Sequence, residues 1–258
     1  MKYLYRMLDS CDAAVAREEE SMQGLQSPPP WSVLAEGLFG WDLVRGAFAI
    51  PALASAPRGT GERVLVLPGF ATGDASTGVM RFVLKQLGYD ARGWGLGLNH
   101  GDVSALLPRV RARIETSAAE TGRKVRLVGW SLGGVLAREV ARDHPDLIDR
   151  VVTLGTPIVG GPKYTATAAT WRRRGIDLDA IEAAVAERER TPIRVPITAI
   201  YSRRDGVVAW RACIDATNPD VSHHEVASSH TGLGFQAGVL AIVARALAGE
   251  GRNDAAFA

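Results

Sequence analysis

Cysteine is scarce in this chain of 258 residues. Cys11 and Cys213 are the two that occur, far apart, with neither a disulfide framework nor the paired spacing of a metal site. Two unrelated free thiols in a reducing compartment is the simpler reading, and no metal is expected. Charge of one sign is missing too: 30 Lys and Arg stand against 28 Asp and Glu, a net +2. The densest basic run, Arg172-Arg173-Arg174, reads as a solvated helix face, so nucleic acid is not an expected partner. No stretch reaches the roughly 18 uninterrupted apolar residues of a membrane span. Even the apolar segment 31–56 is broken by Glu36, Asp42 and Arg45, and Arg6 and Asp9 interrupt any signal-peptide core. These absences predict a soluble, cytoplasmic protein, and at 47% hydrophobic it can bury one large core.

What is present falls into two parts. Residues 1–60 form an N-terminal arm expected to pack on the core. Tyr3, Leu4, Met7, Leu8, Cys11, Ala14 and Val15 recur at helical spacing, so 2–19 reads as an amphipathic helix. Pro28-Pro29-Pro30 marks a stiff linker, and a second helical stretch carried by Trp31, Leu34, Leu38, Trp41, Val44 and Phe48 ends near Pro51. Trp31, Trp41 and the first helix could also serve a homodimer interface or a membrane surface, although helical apolar stripes are more often packing faces.

From 61 to 250 short apolar strands alternate with helices. Strands are expected at Arg63–Pro68, Tyr89–Trp94, Lys124–Gly129, Arg150–Leu154, Ile197–Tyr201 and His223–Val226, with a closing helix from Phe235 to Ala248. Such alternation predicts an α/β fold, a mostly parallel sheet flanked by helices. About forty residues separate the fourth and fifth strands, more than a crossover helix needs. Helical patterns at Thr165–Arg174 and Leu178–Arg190 make 158–192 a lid-like insertion above the carboxyl edge of the sheet. Residues 251–258 read as a flexible tail.

The chemistry centres on Gly129-Trp130-Ser131-Leu132-Gly133, a G-x-S-x-G pattern with a buried strand before it and a helix after it. In that context Ser131 sits on a tight strand-to-helix turn with Oγ projecting from the sheet top, beside a helix N-terminus. Serine needs a base held by an acid. His230, in the loop between the last strand and the last helix, is the candidate base; His144 reads as a solvated helix-end residue, and His223 and His224 read as structural. Asp205, in the turn after Ile197–Tyr201, is the candidate acid, with Asp215 and Asp220 taken as surface residues. Backbone N–H groups of Leu132 and of Phe70, in Pro68-Gly69-Phe70-Ala71-Thr72-Gly73, would form the oxyanion hole, with the Phe70 ring lining an acyl pocket. His100, in Asn99-His100-Gly101-Asp102, reaches the same edge and reads as a loop cap.

Through Leu67-Pro68-Gly69-Phe70, Gly129-Trp130-Ser131-Leu132-Gly133-Gly134, Ser202-Arg203-Arg204-Asp205 and Ser229-His230-Thr231-Gly232-Leu233, residues 63–248 resemble the α/β-hydrolase superfamily, and its bacterial lipase/esterase-like branch in particular. The resemblance implies the α/β-hydrolase fold and hydrolysis of a small-molecule ester through an acyl-enzyme, without metal or organic cofactor. Pro68-Gly69 stands where lipases usually carry His-Gly, which leaves a backbone oxyanion role intact but weakens the case for true lipase activity. An acyltransferase or thioesterase would use the same triad, and a catalytically silent binding protein on this fold is the alternative from another class.

Overall fold

The computed structural model describes residues 25–29, 31–36 and 50–250. The helix expected over 2–19, Cys11, Trp41, most of the second helical stretch and the tail 251–258 lie outside the described residues. In chain order the elements are α1 Ser32–Ala35, α2 Ile50–Ala54, β1 Arg63–Leu67, α3 Gly78–Gln86, β2 Asp90–Gly93, α4 Val103–Thr121, β3 Val125–Trp130, α5 Leu132–Asp143, β4 Ile148–Leu154, α6 Ala168–Arg173, α7 Leu178–Glu189, β5 Ile197–Tyr201, β6 Val221–Glu225 and α8 Ala237–Ala248.

The strands form one sheet in the order β2-β1-β3-β4-β5-β6, parallel at every pairing. A strand sends successive side chains to opposite faces, so apolar runs such as Val64-Leu65-Val66-Leu67 supply two cores at once. Val64, Val66, Val128, Val152 and Ile200 pack with Met80 and Leu84 of α3 and Leu240 and Val243 of α8. Leu65, Leu67, Leu127, Val151 and Ile197 pack on the other face with Leu106, Val110 and Ile114 of α4 and Leu136 and Val140 of α5. Helix α4 starts where the Asp102 carboxylate accepts the Ala105 N–H and stops at Gly122 in the left-handed region (φ 63°). The chain therefore has the α/β fold expected of it, a parallel sheet flanked by helices, and no described helix is long and apolar enough to cross a membrane.

One expectation changes. Asp215 is not a surface residue. It is buried and pairs at 2.5 Å with Arg138 of α5, whose other nitrogen meets Glu189 at the end of α7. Asn218 donates to Asp215 at 2.8 Å, and Arg142 reaches Glu189 at 2.5 Å. This cluster fastens the end of the 158–192 insertion and the 215–218 turn to the back of α5. Burial alone would push the Asp215 carboxyl up, but Arg138 and the Asn218 donors outweigh it and hold it below the usual range.

Removing Arg138 leaves Asp215 buried without its counter-charge. Arg138→Leu is therefore expected to destabilise the fold by about 3–5 kcal/mol in urea titration. A carboxyl held low stabilises the fold above its unfolded pKa, and that stability is lost as pH falls through the folded value. The acid-unfolding midpoint of the variant should accordingly move to higher pH.

Candidate active site

Ser131 occupies the one-residue turn between β3 and α5 with φ 53° and ψ −124°, and Ala71 is the one other described non-glycine residue at positive φ. The turn is possible because its neighbours lack side chains. A Cβ on Gly129 would lie 2.3 Å from the Gly134 Cα, and one on Gly133 would lie 2.2 Å from the Leu67 carbonyl. Strand and helix can meet this closely only with glycine there. Ser131 N–H donates to Leu154 O at 2.7 Å and the Thr156 hydroxyl donates to Ser131 O at 3.0 Å, which fixes the strained backbone from the β4 side.

The loop after β1 abuts this turn: a Cβ on Gly69 would stand 3.3 Å from the Ser131 Cβ. Buried Asn99 shapes the loop from below. Its amide donates to Pro68 O at 2.9 Å, its carbonyl accepts the Ala71 N–H at 2.7 Å, and its N–H donates to Thr72 O at 2.8 Å. Among the described residues the N–H groups of Phe70 and Leu132 have no acceptor, the condition an oxyanion hole requires. The Phe70 ring packs on Trp171 of α6 with centroids 4.9 Å apart. His100 is exposed, and its Nδ1 accepts the Asp102 N–H at 3.4 Å, a loop cap as expected.

Asp205 follows β5 and is buried. Its Oδ1 accepts the N–H groups of Val207 (2.8 Å) and Val208 (2.7 Å), and its Oδ2 lies 2.6 Å from Nδ1 of His230, in the loop after β6. This pairing places the Nδ1 proton toward the carboxylate and turns Nε2 outward as the acceptor nitrogen. The Trp130 ring flanks the imidazole at 6.0 Å between centroids. Among the described residues no hydrogen bond joins Ser131 Oγ to His230; in free enzymes such contacts commonly tighten only with substrate bound.

A second acid enters from the N-terminal segment. Glu36 accepts the N–H groups of Gly206 and His230 on Oε1, each at 2.9 Å, and that of Thr231 on Oε2 at 2.8 Å. Burial pushes its carboxyl up, but these donors and the facing imidazole hold it below the usual range. For His230 burial works to lower the pKa, and Asp205, then Glu36, outweigh it, so the imidazolium is favoured beyond the ordinary histidine value.

Ser131, Asp205, His230, Phe70 and Leu132 thus converge on the carboxyl edge of the sheet. His223 and His224 lie on β6, and His144 caps α5. Glu36, Asn99, Gly155 and Trp171 also meet these residues or their loops. Their sequence surroundings carry no motif, and each acts through a contact distant along the chain. A 390 Å³ cleft lined by Arg150, Pro196, Asp220 and Ser222 lies at the amino ends of β4 to β6. Open α/β sheets bind ligands at the opposite edge, where Ser131 stands.

Known proteins agree with this fold. A family model of the alpha/beta hydrolase fold matches residues 118–180, the stretch from the end of α4 through Ser131 to α7. A pimeloyl-(acyl-carrier protein) methyl ester esterase of Aromatoleum aromaticum is 33% identical over 72 residues, 28% of this chain and 29% of that protein. Lipase B of Aspergillus fumigatus is similar over 75% of this chain and 55% of its own, with 20% identity and a TM-score of 0.53. A mature lipase of Bacillus licheniformis covers 75% of this chain and 94% of its own (17% identity, TM-score 0.56). The corresponding values for a lipase-esterase related protein of Clostridium acetobutylicum are 75%, 97%, 14% and 0.55. The chain therefore spans less than a third of the curated relative and 55% of the fungal lipase, and the structural likeness is one of fold.

Gly155 lies beneath the acid–base pair at φ 52°, where an added Cβ would meet Asp205 Oδ2 and His230 Nδ1 at 2.9 Å each. Gly155→Ala should wedge the pair apart and slow covalent labelling by a fluorophosphonate by about 100-fold or more, with the far-UV circular dichroism retained. An unchanged labelling rate would show that the pair plays no part in activating the nucleophile.

Proposed function

We propose that this chain, an α/β-hydrolase by fold, is a serine hydrolase that cleaves carboxylic esters with hydrophobic acyl groups through an acyl-enzyme on Ser131. The observation that carries this reading is the 2.6 Å Asp205–His230 pair, delivered by two separate loops to the sheet edge where Ser131 is held at positive φ. The esterase relative and the lipase folds support it without specifying a substrate.

In this reading Ser131 Oγ attacks the ester carbonyl while His230 Nε2 takes its proton. Asp205 keeps the imidazole in the required tautomer and stabilises the imidazolium. The tetrahedral oxyanion is received by the N–H groups of Phe70 and Leu132, aided by the positive N-terminus of α5. As the C–O bond of the ester breaks, His230 returns the proton to the leaving alkoxide, leaving the acyl group on Ser131. Water then attacks that acyl group with His230 again as base, and the acid leaves with Ser131 regenerated. The half-buried rings of Phe70 and Trp171 offer the acyl chain an apolar wall, which makes α6 part of a lid.

The test is hydrolysis of p-nitrophenyl esters of short, medium and long acyl chain, with fluorophosphonate labelling alongside. Wild type should turn over and be labelled, and Ser131→Ala should lose at least about a thousandfold in kcat and all labelling. Absence of both in wild type would sink the ester reading and bring thioester and acyl-transfer assays forward. The base must be neutral to act, and a raised His230 pKa keeps it protonated to higher pH. The acid limb of kcat/KM should therefore have its midpoint above the ordinary histidine value of about 6.5. Trp171→Ala should shift the chain-length optimum toward longer acyl groups while leaving kcat on the shortest ester within about threefold, since one side of the wall is removed and the reacting groups are untouched.

A further inference from the structure

We infer that Glu36 is a positioning residue of this active site, joining the Asp205 loop and the His230 loop into one unit through a single carboxylate. The inference rests on the serine-hydrolase reading above and extends the site to a segment outside the strand–helix core.

Glu36 is only 9% exposed in an otherwise apolar stretch, and each of its hydrogen-bond donors belongs to a catalytic loop. Gly206 directly follows the acid, His230 is the base itself, and Thr231 follows it. Apart from the Asp205–His230 contact, the loops are also tied where the Ser202 hydroxyl donates to Ser228 O at 2.5 Å. Glu36 therefore braces the outer ends of both loops, next to the reacting groups. The surrounding segment fits the same role: the Ser32 hydroxyl donates to Gly206 O at 2.5 Å, and Ser27 donates to Lys163 O at 2.6 Å. Leu25 packs against the cluster of Val208, Ala212 and Cys213. Gly206 has no room for a side chain, since a Cβ would lie 2.5 Å from Ser32 O and 3.1 Å from Glu36 Oε1.

A buried carboxylate is a costly way to attach a strap, and an apolar side chain would do so with less desolvation. What only an anion supplies is acceptance of three N–H groups together with negative charge near the imidazole. Two carboxylates, Asp205 and Glu36, face His230; Cys213, beside Asp205, is kept a neutral thiol by burial. The imidazolium that forms when Ser131 gives up its proton is thus favoured from two sides, and the loop that carries it is held in register.

Full-length wild type, Glu36→Gln and Glu36→Asp should be compared in kcat, KM, the pH profile of kcat/KM and the NMR titration of the His230 Cε1 proton. For Glu36→Gln, which keeps the volume but loses the charge and one acceptor, kcat/KM is expected to fall about 10- to 100-fold, mainly in kcat. The acid-limb midpoint and the His230 titration should both move to lower pH. Glu36→Asp keeps the charge with a shorter reach, and should hold the wild-type midpoint while losing part of kcat. A Glu36→Gln protein with wild-type kcat/KM, or with a lowered melting temperature but an unmoved His230 midpoint, would overturn the inference. If Glu36→Gln does not fold, Glu36→Asp decides: reduced kcat at the wild-type midpoint supports the role, and unchanged kcat overturns it. If wild type cleaves no ester, the serine-esterase reading fails by itself, and the His230 titration in Glu36→Gln still decides whether Glu36 is coupled to the imidazole.

Discussion

The backbone of Ser131, bent into the left-handed region between a buried strand and a buried helix, is the constraint on which the rest of this site depends. A residue with a Cβ adopts that conformation only when its surroundings enforce it. Here the enforcement comes from glycine contacts between β3, α5 and the end of β1, and from hydrogen bonds to β4. Leu132, the first residue of α5, leaves its N–H outside the helical bonding pattern, as the first turn of any helix does. Once the turn is set, β5 and β6, two and three strands farther along the sheet, deliver their loops to the same edge because every pairing is parallel. Parallel order thus turns a local backbone oddity into a shared site for residues 131, 205 and 230.

Buried charge serves two separate ends in this molecule. Behind α5, Arg138 and Arg142 face Asp215 and Glu189, and the cations balance the anions. That cluster holds elements together. Around His230 the balance is deliberately negative, with Asp205 and Glu36 facing one imidazole. Each carboxylate is satisfied separately by backbone donors: Val207 and Val208 for Asp205; Gly206, His230 and Thr231 for Glu36. Neither needs a permanent counter-ion, so both remain available to a positive charge that appears only during proton transfer.

The insertion between β4 and β5 is held unevenly. Its end is locked through Glu189 to Arg138, and its start is tied to the acid loop by the bridge between Thr165 and Val208. Lys163 pairs with Asp179 at 2.6 Å and with Glu182, joining the start of the segment to α7. Between these anchors α6 ends in the exposed Arg172, Arg173 and Arg174, and Trp171 is its contact with the Phe70 loop. Segments with few buried contacts between firm ends open first, so α6 is the part of the insertion expected to open most readily.

Much of this was legible in the order of residues. Alternating apolar runs and helical periodicity specify the parallel α/β sheet, because a strand buried on both faces must be apolar throughout. The Gly129-Trp130-Ser131-Leu132-Gly133 motif, bracketed by a strand and a helix, marks the nucleophile turn. The positions of Asp205 and His230 after the last two strands follow from the same alternation, since loops at strand ends are where side chains escape the core. Contacts that join distant segments left no such trace. Asp215 looks like any loop aspartate until α5 brings Arg138 to it. Glu36 reads as an interruption of an apolar stretch until its segment crosses the acid and base loops. Motifs and periodicities record what a residue does within its own element, whereas burial of a lone charge is decided by which donors the fold brings to it from elsewhere. Local pattern in the chain thus specifies the parallel sheet and marks Ser131, Asp205 and His230 as candidates, while the contacts that brace them arise only where distant segments meet.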